Sequence, residues 1–317
     1  MFQFIPRFYS KINISTEARL VEGKMLCITT WNSFHVHCSF ANVAIRLMAE
    51  MMLGMILMRL KQFVFLRVSL FFVLLLMVPQ FAYAQNTPVF GYRIVNVYPH
   101  DPEAFIQGLF VKDGYFYEST GQYGSSTLRK VDIKSGEVLQ KQAMSDIVFG
   151  EGITHWNGRI ISLTWRSGIG FTWDEASFKR LSQFKYEGEG WGLTHNHDHL
   201  IMSDGTPTLR FLNPETMEVE GRVDVSANGR KIPYVNELEW IDGTLYANIW
   251  QSNYIAQINP ETGEVQAWIN LNGLLDSQGP RVGNPEVLNG IADAGEGRLY
   301  VTGKRWPYLF EIEVLRD

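Results

Sequence analysis

Five times between residues 107 and 297 the chain repeats two short phrases at nearly constant spacing, and that period excludes most folds open to 317 residues. The first phrase is an apolar strand start carrying glycine or its equivalent. It occurs as Gln107-Gly108-Leu109, Glu151-Gly152-Ile153, Trp191-Gly192-Leu193, Asn236-Glu237-Leu238 and Asn289-Gly290-Ile291, with central residues 44, 40, 45 and 53 apart. The second is a turn into a strand: Asp113-Gly114, Asn157-Gly158, His197-Asp198, Asp242-Gly243 and Glu296-Gly297, spaced 44, 40, 45 and 54. A third, longer hairpin phrase covers Asp132 to Glu137, Asn213 to Glu218 and Asn259 to Glu264. Units of this length, with three or four short alternating strands each, fit one propeller blade apiece. The expected fold is therefore all-β, a five-bladed β-propeller over residues 85–317. The strand from Val89 to Tyr98 is expected to complete the last blade beside Tyr308 to Val314, which leaves no exposed edge. A β-sandwich is the alternative.

The 84 residues upstream differ in kind. They carry 8 Lys and Arg against 3 Asp and Glu, whereas residues 85–317 carry 20 against 30. Residues 58–84 read as an export signal: Arg59, Lys61 and Arg67 form a cationic start, Val68 to Val78 is the apolar stretch, and Ala82-Tyr83-Ala84 is a small-x-small cleavage site. A membrane anchor is the alternative, but the apolar stretch is shorter than the ~20 residues that span a bilayer. Residues 1–57 are expected to be an over-extended or disordered segment, because a signal begins a chain and Met51, Met52, Met55 and Met58 each offer a later start. The expected mature protein is exported, periplasmic or secreted, and not inserted in a membrane. Both cysteines, Cys27 and Cys38, fall in this upstream stretch. The mature part, at −10, lacks the basic face that nucleic-acid binding requires, and its surface patterning predicts a monomer.

Radial repetition brings equivalent positions to one axis, so positions that vary within the repeat are candidate site residues. Before the first-phrase glycine stand Gln107, Glu151, Trp191, Asn236 and Asn289; seven residues after the turn stand Gly121, Trp165, Gly205, Trp250 and Lys304. Carboxamides, one carboxylate, one ammonium and three indoles at one channel mouth describe a pocket for a small polar group with an apolar stem. The same residues can instead satisfy hydrogen bonds between blades. His195, His197 and His199 alternate as metal ligands would on a strand, but they straddle a turn, and a solvated hairpin is the expected reading.

The motifs Phe105-Ile106-Gln107-Gly108-Leu109, Phe149-Gly150-Glu151-Gly152-Ile153-Thr154, Leu163-Thr164-Trp165, Gly190-Trp191-Gly192-Leu193, Asn236-Glu237-Leu238-Glu239-Trp240 and Thr302-Gly303-Lys304 resemble the plant-type glutaminyl-peptide cyclotransferases. The resemblance runs over residues 89–314. It implies conversion of N-terminal glutamine of peptides or proteins to pyroglutamate with loss of ammonia, on a five-bladed propeller, with no cofactor and no catalytic metal. It further implies that Glu151 is the acid/base, that Gln107, Asn236 and Lys304 are polar pocket groups, and that Phe105, Phe149, Trp165, Trp191 and Trp250 are aromatic walls. Rival readings are a non-catalytic peptide- or sugar-binding propeller and a metal-dependent propeller hydrolase or lactonase.

Overall fold

The protein, seen in a computed structural model, is described over residues 16–21, 24–31, 34–76, 86–280 and 283–316. It divides into two units, Met1–Ala82 and Tyr83–Asp317. In the first, strands Thr16–Val21, Lys24–Trp31 and Phe34–Ser39 pair in sequence order as an antiparallel meander, followed by helix Phe40–Leu76. The helix runs through residues 57 and 58, where the export signal is expected to start, and three strands lie within residues 1–57, the segment expected to be over-extended or disordered. Leucine is the commonest residue of the helix, followed by methionine and phenylalanine, with no proline and one glycine, Gly54. The Ala82-Tyr83-Ala84 motif lies outside the described residues. Among the described residues no helix is long and apolar enough to cross a membrane.

Most strands of the second unit pair antiparallel with their neighbours in sequence. A first set holds Ile106–Lys112, Tyr115–Thr120, Thr127–Asp132 and Val138–Ala143; a second holds Gly150–Trp156, Arg159–Thr164, Ile169–Asp174 and Arg180–Lys185. The third is Leu193–His195, Leu200–Met202, Thr208–Leu212 and Val219–Asp224. An eight-stranded sheet follows. Half of it is Val235–Ile241, Thr244–Ile249, Tyr254–Ile258 and Val265–Asn270. The other half is Leu288–Gly295, Arg298–Gly303, Tyr308–Leu315 and the N-terminal strand Val89–Pro99. The halves join through a short parallel pairing of Trp268 with Val89 and Ile269 with Phe90.

Hairpin chemistry explains the turn phrase. Asp113-Gly114, Asn157-Gly158, Asp242-Gly243 and Glu296-Gly297 all have positive φ at both residues, the type I′ geometry that matches strand twist. The third copy differs: Asn196 Oδ1 accepts from the backbone N–H of Asp198 and His199, closing the turn with a side chain. The long hairpin is likewise an Asx turn, with Asp132, Asn213 and Asn259 accepting from backbone N–H groups two and three residues on. The second set has its own version at Asp174, which accepts from Ser177 N. There Phe178, not glycine, takes the left-handed position at φ 56°.

The first strands of the five four-strand groups touch in cyclic order, the fifth returning to the first. Glycine at the repeated position is what permits this approach. A Cβ at Gly108 would stand 2.6 Å from Ile153 N, and one at Gly152 would stand 2.6 Å from Trp191 O. Between neighbouring groups lie separate apolar clusters. Phe110, Tyr117 and Leu128 pack against Ile153, Phe171 and Trp173; Ile161 and Leu163 against Leu193 and Met202; Leu109, Phe116 and Val131 against Ala292 and Leu309. The core is thus distributed between sheets, which leaves the ends of the first strands free to carry polar groups.

Candidate active site

In an antiparallel pair the start of one strand lies beside the end of the next. Residues at the start of the first strand and just past the second in each group therefore share one end of the structure. Gln107, Glu151 and Asn236 sit at such strand starts, Phe105, Phe149 and Trp191 just before them, and Trp165, Trp250 and Lys304 just past the second strands. All nine line one cavity of about 290 Å³, joined by Gln251, Glu286 and Val287. Asn289, the fifth of these repeat positions and the fourth polar one, does not line the cavity: its Nδ2 donates to Ile106 O at 2.9 Å and to Gln107 Oε1 at 3.4 Å.

The floor is polar and the walls aromatic. Gln107, Glu151, Asn236 and Lys304 are all buried. Gln107 Nε2 donates to Glu151 Oε1 at 2.9 Å, and Ser119 Oγ donates to the Glu151 backbone carbonyl, so both ends of this residue are held. Burial drives the Glu151 carboxyl well above its ordinary value; nearby Lys304 opposes that rise and Glu189 adds to it. Burial lowers the Lys304 ammonium, against the opposite pull of Glu151 and Glu286. The Asn236 Oδ1 atom is buried with no hydrogen bond from the protein.

Edge-to-face contacts set the walls: Phe105 to Phe149 at 6.0 Å, Phe149 to Trp165 at 5.5 Å, and Trp191 to Trp250 at 5.7 Å between centroids. The Lys304 Nζ lies 4.9 Å from the Phe105 ring centroid, a cation over an aromatic face. The glycines of the repeated position make room for these rings. A Cβ on Gly121 would overlap the Phe149 ring, and one on Gly205 would stand 2.6 Å from Trp191 Cζ2.

Sequence reasoning missed Gln251, Glu286 and Val287. Gln251 simply follows Trp250, whereas Glu286 and Val287 belong to the extra length in the 53-residue last interval, the one available signal. The alternating histidines do not converge: Thr154 Oγ1 is 2.8 Å from His195 Nδ1, while His199 Nε2 is 3.0 Å from Glu220 Oε2. The His195 ring meets His155 at 4.5 Å, and burial then the charges of His155 and His197 depress it to about 4.

The family model of glutamine cyclotransferases matches residues 68–314. This chain belongs to the glutamine cyclotransferase family. It is 42% identical over 229 residues to a glutaminyl-peptide cyclotransferase of Arabidopsis thaliana, covering 70% of this chain and 71% of that one. The crystal structure of Myxococcus xanthus glutaminyl cyclase superposes with a TM-score of 0.68 at 37% identity, over 73% of this chain and all of the other. The match of the glutamine cyclotransferase model begins at residue 68, upstream of the span over which the sequence motifs carry the resemblance.

Proposed function

We propose that this cyclotransferase-family chain is a glutaminyl-peptide cyclotransferase that closes N-terminal glutamine of peptides or proteins to pyroglutamate, with Glu151 as its acid and base. The single observation that carries the assignment of roles is a buried carboxyl of raised pKa, held by Gln107 inside an aromatic-walled cavity sized for one residue. In the reaction the neutral α-amine nitrogen bonds to the side-chain amide carbon. Glu151 takes the proton this nitrogen sheds and returns it to the departing amide nitrogen as the carbon–nitrogen bond breaks, so ammonia leaves and the lactam remains. A group with pKa near working pH suits both transfers. The negative charge that develops on the former amide oxygen calls for a fixed donor, a role open to Lys304, Gln107 and Asn236 through their side-chain N–H groups and worth ~3–4 kcal/mol. The tryptophan walls hold the glutamine side chain folded toward its own amine, where effective molarity is gained.

The architecture of this reading is a five-bladed propeller whose N-terminal strand completes the last blade. Its support is the cyclic contact order of the first strands and the eight-stranded sheet. The reading also includes export directed by residues 58–84 and a monomeric catalytic domain without cofactor. Export rests on the cationic start, the apolar stretch and the small-x-small motif, and the monomer on surface patterning.

Ammonia release from a Gln-initiated dipeptide, with an Asn-initiated one as control, tests the activity. Release from the first alone is expected; binding without release makes the protein a recognition module. Glu151→Gln should fold normally and lower kcat by roughly 100-fold or more. Near-normal turnover would take Glu151 out of this role. Because its carboxyl is held well above 4.5 in the folded enzyme, kcat/KM should rise with pH through a limb displaced above the ordinary carboxylate range.

A further inference from the structure

Behind the aromatic wall stands a carboxylate that neither the repeat nor the family motifs single out. Glu189 does not line the cavity. Its Oε2 nonetheless accepts from Trp165 Nε1 at 2.8 Å and from Trp191 Nε1 at 2.9 Å. Its Oε1 accepts from Arg166 Nε at 3.0 Å, and the Arg166 guanidinium lies 3.8 Å from the Trp165 ring centroid. The two indoles come from different strand groups: Trp165 follows the second strand of the second, and Trp191 precedes the first strand of the third.

One oxygen atom therefore sets the rotation of two cavity walls at once. An indole N–H is a donor only. While both donors are committed to Glu189 outside the cavity, the rings cannot turn those edges toward a ligand, and their carbon surface faces the cavity instead. A charged acceptor also makes each bond stronger than a neutral one. Burial by itself would raise the Glu189 carboxyl, but the hydrogen bonds from Trp191, Arg166 and Trp165 outweigh it, and the group sits below its ordinary value, hence charged. The substrate end that arrives here is an α-amine, substantially cationic near neutral pH, and an indole face is the aromatic surface that best receives a cation.

We propose that Glu189 is a positioning residue for the glutamine pocket: it fixes the Trp165 and Trp191 indoles in the orientation that receives the N-terminal residue, without touching substrate. Arg166 holds the carboxylate from its other side and covers the Trp165 ring. The inference rests on the reading of this cavity as the glutamine site.

The test compares three variants of the full chain. Glu189→Gln keeps a carbonyl oxygen that can accept from both indoles; Glu189→Ala removes the acceptor, and Glu189→Asp draws it back by one methylene. The readouts are KM and kcat for a Gln-initiated dipeptide and the near-ultraviolet circular dichroism of the tryptophans. For Glu189→Ala and Glu189→Asp, KM should rise roughly tenfold with a smaller change in kcat, and the indole signal should change. Glu189→Gln should recover KM to within about threefold of the parent and restore the signal. An unchanged KM and spectrum in either Glu189→Asp or a folded Glu189→Ala would overturn the proposal, as would a folded Glu189→Gln no better than Glu189→Ala. If the parent protein releases no ammonia, the cyclase reading fails first, while the dichroism series still reports whether Glu189 orients the indoles.

Discussion

Gly121 and Gly205 hold the repeat positions that Trp165, Trp250 and Lys304 fill in the other groups, and the two glycines shape the pocket as much as the larger side chains do. Gly121 has no special backbone angle; its requirement is space, since a Cβ would meet the Phe149 ring and lie 3.0 Å from Gln107 Cγ. Phe149 has little room to yield, being in edge contact with Phe105, Tyr123 and Trp165. Gly121→Ala should therefore lower kcat/KM about tenfold or more by displacing a wall, with a stability loss of only ~1–3 kcal/mol in urea titrations. Most pocket residues were legible because the repeat predicts which positions share one end of the sheets. Glu189 was not: it lies two residues before Trp191, outside the repeated positions, and its partner Trp165 is distant in sequence.

At the level of strands and turns, legibility followed backbone geometry. Glycine at 108, 152 and 192 announces the first strands because only glycine admits their mutual approach. The Asx hairpin is legible at Asp132 and Asn259, which have glycine at the left-handed position, and at Asn213, which shares Asn-Pro-Glu-Thr with Asn259; the one at Asp174 has neither mark, since Phe178 takes the left-handed position as a buried ring. The helix Phe40–Leu76 contains Arg59, Lys61 and Arg67 and the start of the apolar stretch, because an export-signal pattern and a helix-forming run call for the same apolar residues.

One junction between strands titrates. His100, just past the N-terminal strand, is buried with Nδ1 at 2.8 Å from Trp306 O and Nε2 at 3.1 Å from Glu118 Oε1. Burial pulls its pKa down, but the charge and hydrogen bond of Glu118 and the Trp306 carbonyl prevail, and it stands above its ordinary 6.5. A histidine raised in the folded state contributes stability that is complete below pH 6.5 and is lost as pH rises through the folded value. The stability difference between the parent and His100→Gln, measured by urea unfolding, should therefore be larger at pH 6 than at pH 8; a difference independent of pH would contradict the pairing.

Across the whole molecule, the fourth group departs from the glycine pattern at Glu237, and this one side chain ties three groups together. Its Oε1 accepts from Leu109 N of the first at 3.2 Å, and its Oε2 from Ile291 N of the fifth at 2.9 Å. Burial, then the neighbouring Glu239, raises its carboxyl well above the ordinary value. Glu237→Ala would strand two buried N–H groups at ~1–3 kcal/mol each, whereas Glu237→Gln keeps one acceptor oxygen and so strands one. A lower unfolding midpoint for Glu237→Ala than for Glu237→Gln is the expected result.

The pairing of Val89–Pro99 with Tyr308–Leu315, from Gly91 opposite Leu315 to Pro99 opposite Tyr308, also sets an order of events. The first strand of the second unit finds its antiparallel partner only when the last strand has been made, so the two ends of this unit must wait for each other. Joining of ends so far apart in the chain is the slow kind of contact. A C-terminal truncation that removes Tyr308–Leu315 would deprive both Val89–Pro99 and Arg298–Gly303 of an antiparallel partner.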